Sequence, residues 1–170
     1  MRNLLMIIPL AFILVLPACG QTTDKAYDLM LKGMYGDEVS RITPAQLHQQ
    51  LQDTKVKPLL LDTRTPAEYR VSHLAGARFT AYNTFRVSQL QDVPKDARIV
   101  VYCSVGYRSE RVGEKLKKAG YKNVQNLYGG IFEWVNEGYP VYNQHGKTNQ
   151  VHAYSKAWGV WLQEGVKVYE

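Results

Sequence analysis

Short apolar runs alternate with amphipathic stretches along most of this chain. Residues 58–62 read Pro-Leu-Leu-Leu-Asp and residues 99–102 read Ile-Val-Val-Tyr. Each is a continuous apolar run of strand length, as expected of a strand buried on both faces of a parallel sheet. Residues 77–81 and 124–127 give two further strands. Between the strands the period lengthens. Thr43-Pro44 and Thr65-Pro66 each put a capping hydroxyl before a proline at the first helical position. Thr65-x-x-Glu68 also fits a capping box. The first of these helices is expected to end near Leu51, with His48 on its surface. Residues 88–92 give a short helical segment closed by Pro94. Val112, Leu116 and Ala119 mark one face of a helix over 109–119, which Gly120 ends. Gly129-Gly130 then turns into a short helix over 131–135. Strands alternating with helices predict an α/β fold with a central, mainly parallel sheet flanked by helices on both faces.

The two ends of the chain differ from this middle. Residues 4–16 are almost wholly apolar, preceded by Arg2 and followed by Leu16-Pro17-Ala18-Cys19. Charge, apolar run and small residue before a cut describe a signal peptide over residues 1–18. The run is shorter than a spanning helix needs. Leu-Pro-Ala-Cys resembles a bacterial lipobox, in which the cysteine is lipidated and becomes the first mature residue. A lipid on Cys19 would anchor the protein to the cell envelope, facing the periplasm or exterior, without spanning the membrane. Gly20 stands where an aspartate would resemble an inner-membrane retention signal, which favours the outer membrane. Residues 19–36 then read as a tether and a short amphipathic helix carrying Ala26, Leu29, Met30 and Met34. Residues 37–143 form the main domain. Residues 144–170 are an extension, polar at first, then carrying Tyr154, Trp158, Trp161 and Leu162 as an amphipathic segment expected to dock on the domain.

Composition narrows the function. The 170 residues are 45% hydrophobic and 21% charged, as in an ordinary globular protein. The net charge of +6 comes without an arginine-rich, aromatic-interleaved stripe, which argues against a nucleic-acid partner. Cys19 and Cys103 are the only cysteines, and no Cys/His cluster has metal-ligand spacing.

The candidate chemistry sits at Cys103-Ser104-Val105-Gly106-Tyr107-Arg108. A buried strand leads in and a helix leads out. Such a loop turns successive N–H groups into a small concavity, and the helix start adds partial positive charge. That setting favours the thiolate, the nucleophilic form of the side chain. Gly106 allows the backbone a tight turn. Arg108 is placed to favour the thiolate and to attract an anion. Asp62 ends one strand as Cys103 follows another, and in open α/β sheets the working site lies at the carboxyl ends of strands. Arg64 and Glu68 have the spacing of an i,i+4 ion pair.

Four stretches together resemble the single-domain rhodanese-like family. They are Asp62-Thr63-Arg64-Thr65-Pro66-Ala67-Glu68-Tyr69, then His73-Leu74-Ala75-Gly76-Ala77, then Val101-Tyr102-Cys103 with Gly106 and Arg108. The last is Leu127-Tyr128-Gly129-Gly130-Ile131 with Trp134. The resemblance implies a rhodanese-like fold and a sulfurtransferase that needs no cofactor. Cys103 would take a sulfane sulfur from a small anionic donor such as thiosulfate, become a persulfide, and pass the sulfur to a thiol or cyanide. It also implies that residues 104–108 cradle the sulfur and that Asp62 supports the loop. Four residues separate Cys103 from Arg108, one fewer than in cysteine phosphatases, so the cradle suits a sulfur atom better than a phosphate group. Ser104 stands where many thiosulfate-using members have a basic residue, which argues against thiosulfate as the natural donor. Ser72 replaces the usual glycine before His73, and His73 reads as structural. The competing reading is a non-catalytic binding or thiol-redox module at the membrane surface.

Overall fold

The computed structural model describes residues 19–53 and 57–170. The signal-peptide reading of residues 1–18 and the side chain of Cys19 lie outside the described residues. The main domain runs β1 (Ser40–Ile42), α2 (Pro44–Gln52), β2 (Leu59–Asp62), α3 (Pro66–Val71) and β3 (Arg78–Phe79). It continues through β4 (Arg98–Tyr102), α4 (Tyr107–Lys118), β5 (Asn123–Leu127) and α5 (Gly130–Asn136), with α1 (Cys19–Met34) ahead of it. Two turns of 3₁₀ helix, Tyr82–Thr84 and Val87–Leu90, fill the long connection from β3 to β4.

Five strands form one parallel sheet in the order β1-β5-β4-β2-β3. The chain leaves β2 for β3 on one side, then returns to β4 on the other. The winding therefore reverses between β2 and β4, and the crevice at their carboxyl ends is where such sheets hold their sites. Alternate residues serve the two faces. Leu61, Ile99, Val101 and Val124 pack with Val112 and Leu116 of α4. Leu60, Val100, Tyr102 and Leu127 pack with Leu47 of α2 and with Ile131, Phe132 and Val135 of α5. Burial on both faces is why β2 and β4 read as unbroken apolar runs.

Both Thr-Pro starts cap helices. Thr43 and Thr65 accept the amides of Gln46 and Glu68, and the side chains of those residues reach back to the cap amides. Several elements differ from the pattern. β1 was not predicted; three residues with one buried position give too short a signal. α4 begins at Tyr107, earlier than the apolar spacing showed. α1 begins at Cys19, where a polar tether was expected. His48 is not a plain surface residue, since its ring stacks on Tyr139 at 4.5 Å.

The end of the chain holds more structure than a linker and one amphipathic segment. β6 (Val141–Asn143) and β7 (Gly146–Thr148) form an antiparallel hairpin. β8 (Gln150–His152), α6 (Lys156–Gly159) and β9 (Val166–Val168) form a small parallel unit. Val151, Ala153 and Leu162 of this unit are fully buried in the larger core cluster. Tyr27 of α1 stacks on Trp161 at 5.2 Å, so the two flanking segments meet each other over the domain. Among the described residues no helix is long and apolar enough to cross a membrane.

Candidate active site

β4 delivers Cys103 to the crevice, and α4 starts four residues later. The Cys103 sulfur lies 3.1 Å from the Gly106 amide, which donates to it. Only 1% of Cys103 is exposed, and what is exposed opens into a pocket of about 260 Å³. Gly106 adopts φ +102, a left-handed conformation open to glycine. A Cβ there would also fall 2.1 Å from the Tyr35 hydroxyl.

The loop is held from three sides. Beneath it, the Ile131 and Phe132 amides at the start of α5 donate to the Cys103 and Ser104 carbonyls at 2.9 and 3.1 Å. Gly130 makes this close approach feasible, because a Cβ on it would lie 2.4 Å from the Cys103 carbonyl oxygen. Behind it, the Asn126 amide donates to the Gly106 carbonyl at 2.9 Å and to Glu110 at 2.8 Å. The Ser109 hydroxyl donates to the same carbonyl at 3.0 Å. From above, the Tyr35 hydroxyl donates to the Val105 carbonyl at 2.6 Å and accepts the Gly129 amide at 3.0 Å. Burial pushes the Tyr35 phenol well above its usual range, so it stays a neutral donor.

The charged groups pair differently from the expected i,i+4 arrangement. Arg64 does not reach Glu68. It turns back on Asp62 in a bidentate pair, with Nη2 to Oδ2 at 2.7 Å and Nε to Oδ1 at 3.0 Å, and both side chains are fully buried. Arg64 precedes the Thr65 cap and lies outside helix α3, so the helical i,i+4 geometry does not exist for it. Glu68 instead crosses to Arg108, with contacts of 2.7 and 2.9 Å. It also accepts the Ser104 hydroxyl at 2.7 Å and the Thr65 amide at 2.9 Å. Burial pushes the Glu68 carboxyl up. The hydrogen bonds and charge of Arg108, the Thr65 amide and the charge of Arg64 outweigh this and hold it at about 2. Arg108 is lowered by burial, but its bond to Glu68 and its proximity to the Cys103 sulfur raise it overall, so it remains a cation.

Of the residues that the sequence singled out, Cys103, Ser104, Val105, Tyr107 and Arg108 line the pocket, and Gly106 lies against Tyr35. Within that stretch Val105 is buried in the core and Tyr107 stands exposed at the rim. Asp62 ends the neighbouring strand, but its bonds go to Arg64. Its link to the loop runs through β4, whose Tyr102 carbonyl takes the Thr63 amide at 2.9 Å. His73 stacks on Tyr69 at 4.0 Å and its backbone bridges to Tyr142, away from the pocket. Trp134 is buried and donates its indole N–H to the Pro140 carbonyl. Among the described residues no cluster of side chains is arranged to hold a metal ion.

Sequence reasoning missed the pocket walls. They are Met34 at the end of α1, and Tyr154 and Trp158 of the C-terminal unit. Tyr154 has φ +64, a left-handed conformation uncommon for a bulky residue. Its amide donates to His152 Nδ1 at 3.0 Å, and its ring lies 5.1 Å from the Arg108 guanidinium. Burial lowers the His152 pKa, so the ring keeps the lone pair that accepts this bond. A second groove, of about 640 Å³, lies beyond Tyr107, Arg108 and Tyr154. The aromatic spacing in the extension was visible in the sequence, but nothing local showed that it faces Cys103.

Known proteins match this architecture. A family model for the rhodanese-like domain matches residues 43–137. A sulfurtransferase from Allochromatium vinosum is 35% identical over 108 residues, which is 64% of this chain and 99% of that protein. A tRNA uridine(34) hydroxylase from Erwinia tasmaniensis is 30% identical over 128 residues, 70% of this chain but only 34% of its own length. Among solved structures, a rhodanese-related protein from Thermoplasma volcanium superposes with a TM-score of 0.53 at 28% identity. That likeness covers 60% of this chain and 96% of the other. Met34, Tyr154 and Trp158 all lie outside the residues that the family model matches.

Proposed function

This chain belongs to the rhodanese-like domain family, and on that premise we propose that it is a sulfurtransferase working through a Cys103 persulfide. The observation that carries this reading is the Cys103 sulfur itself. It faces the pocket from a tight loop whose Gly106 amide points at it. In the first step the Cys103 thiolate attacks the outer sulfur of a donor. A bond forms between that sulfur and Cys103 Sγ, the bond from that sulfur to the rest of the donor breaks (sulfur–sulfur in thiosulfate, carbon–sulfur in 3-mercaptopyruvate), and the leaving group departs with the electron pair. For thiosulfate the leaving group is sulfite. In the second step an acceptor thiolate attacks the same outer sulfur and Cys103 leaves as thiolate. No net oxidant or reductant is needed. The Gly106 amide stabilises negative charge on sulfur in both directions, and the fixed loop keeps it in place without reorganisation.

The test is persulfide formation. The chain is incubated with thiosulfate or 3-mercaptopyruvate and its intact mass measured. One added sulfur is expected, absent from Cys103→Ser. If no donor gives an adduct that depends on Cys103, a binding or redox module replaces this reading.

The proposal extends to place. The apolar run over 4–16 and the Leu-Pro-Ala-Cys ending support a lipid on Cys19 and attachment to the cell envelope outside the cytoplasm. Cys19→Ser should move the protein from the membrane fraction to the soluble fraction. A wild-type protein already soluble would sink the anchor.

A further inference from the structure

The walls of the Cys103 pocket bear on what it accepts. Met34, Val105, Tyr107, Tyr154 and Trp158 line it. Among the described residues, Arg108 is the one cationic residue lining this pocket, and it is already engaged. Two of its nitrogens bond Glu68, one of these also donates to the Ser104 hydroxyl at 3.0 Å, and the Tyr154 ring faces its guanidinium. Glu68 stays ionised through all ordinary pH because its carboxyl is held at about 2. An inorganic dianion entering here would meet a pair of near-zero net charge, with aromatic rings around it. Such a ligand would leave most of its hydration shell without gaining a free cation. An organic body would instead bury apolar surface against the rings, in a space far larger than an inorganic sulfur oxyanion fills. The left-handed backbone of Tyr154 adds weight, since strain of this kind persists only where surrounding structure holds it, and it clusters at ligand sites.

We propose that the aromatic wall supplied by the C-terminal unit, Tyr154 and Trp158, together with Met34 of the same pocket, selects organic sulfur donors with an apolar or aromatic body over small inorganic ones. The proposal rests on the sulfurtransferase reading of Cys103 and names its substrate class. The step is the same: the Cys103 thiolate takes the outer sulfur of an organic persulfide R–S–S⁻, and the thiolate R–S⁻ leaves with the electron pair of the broken bond.

The test uses the full chain and two donors with the same reacting bond and charge, methyl persulfide and benzyl persulfide, with thiosulfate as a third. Single-turnover loading of Cys103 is followed by intact mass. Benzyl persulfide is expected to load with a rate constant per concentration on the order of tenfold or more above methyl persulfide. Tyr154→Ala and Trp158→Ala should bring that ratio towards one, while Trp158→Phe keeps most of it. A wild-type ratio near one overturns the proposal, as does a ratio unchanged in both alanine variants, or a uniform loss for all donors that leaves the ratio intact. If methyl persulfide or thiosulfate loads Cys103 without a benzyl preference, the sulfurtransferase reading stands and this inference alone falls. If no donor loads wild-type Cys103, both fall.

Discussion

Two carboxylates a few residues apart, Asp62 and Glu68, each pair with an arginine, and the two pairs have opposite surroundings. Asp62 and Arg64 are both at 0% exposure, and Arg64 also donates to the Ser72 carbonyl that follows α3. The pair closes the turn between β2 and α3 and does not line the Cys103 pocket. Glu68 and Arg108 are joined across 40 positions, and Arg108 keeps 17% of its side chain in solvent, at the pocket wall. The same chemistry is a buried strut in one place and part of the pocket wall in the other. The difference comes from burial. A fully enclosed guanidinium that loses its carboxylate keeps only a backbone carbonyl and no counter-charge, whereas a wall guanidinium is open to water and ligand.

That contrast can be broken most severely at the inner pair. Asp62→Ala leaves the Arg64 cation buried and unpaired, and unfolding stability is expected to fall by about 3–5 kcal/mol. Denaturant midpoints measure this, and a loss under about 1 kcal/mol would show that the strut carries little.

The outer pair makes its mark on the acid limb of stability. Glu68 titrates near 2 when folded and near its ordinary value when unfolded, so its folded pKa is depressed. Its contribution is complete above the unfolded value and is lost as pH falls through the interval down to about 2. The loss is about 3 kcal/mol over that interval. Melting temperature against pH should therefore drop less steeply below pH 4.5 in Glu68→Gln than in wild type. Parallel curves would remove the pair from the account.

The same substitution sharpens the functional half of the comparison. Glu68→Gln keeps one acceptor oxygen for the Thr65 amide, turns its new NH2 group towards the Ser104 oxygen, and releases the charge of Arg108. Thiosulfate loading of Cys103 should then rise, on the order of tenfold, as an anion gains a free cation. An unchanged or lower rate would show that Glu68 does not mask Arg108. The smallest effect lies at the cap they share a turn with. Thr65→Ala removes the acceptor of the Glu68 amide and leaves both ion pairs in place. A loss of about 1 kcal/mol is expected by thermal unfolding, and a loss as large as that of Asp62→Ala would mean that the cap and the pairs are not separable.

Much of the local structure follows from the sequence alone. Thr43 and Thr65 specify helix starts because donor and acceptor lie three residues apart, a distance that any fold preserves. The runs ending at Asp62 and Tyr102 specify buried parallel strands. A cysteine placed directly after such a run falls at the carboxyl edge of the sheet wherever the strand pairs. The partners of that cysteine's loop were decided elsewhere. Glu68 has a lysine or arginine at many sequence distances, and sheet order, with β2 beside β4, is what brings Arg108 to it. Asn126, Tyr35 and Gly130 reach the loop for the same reason, from β5, from just beyond α1 and from α5. Tyr154 and Trp158 were recognised as aromatic, but the three-residue strands that carry them to the pocket have little periodicity of their own and are held by docking on the core. The sequence by itself determined the long buried strands, the capped helices and the place of Cys103 at a strand end, since those depend on contacts within a turn or a strand. Tertiary structure decided which charge meets which and what walls the pocket, because those contacts join residues that only packing brings within reach.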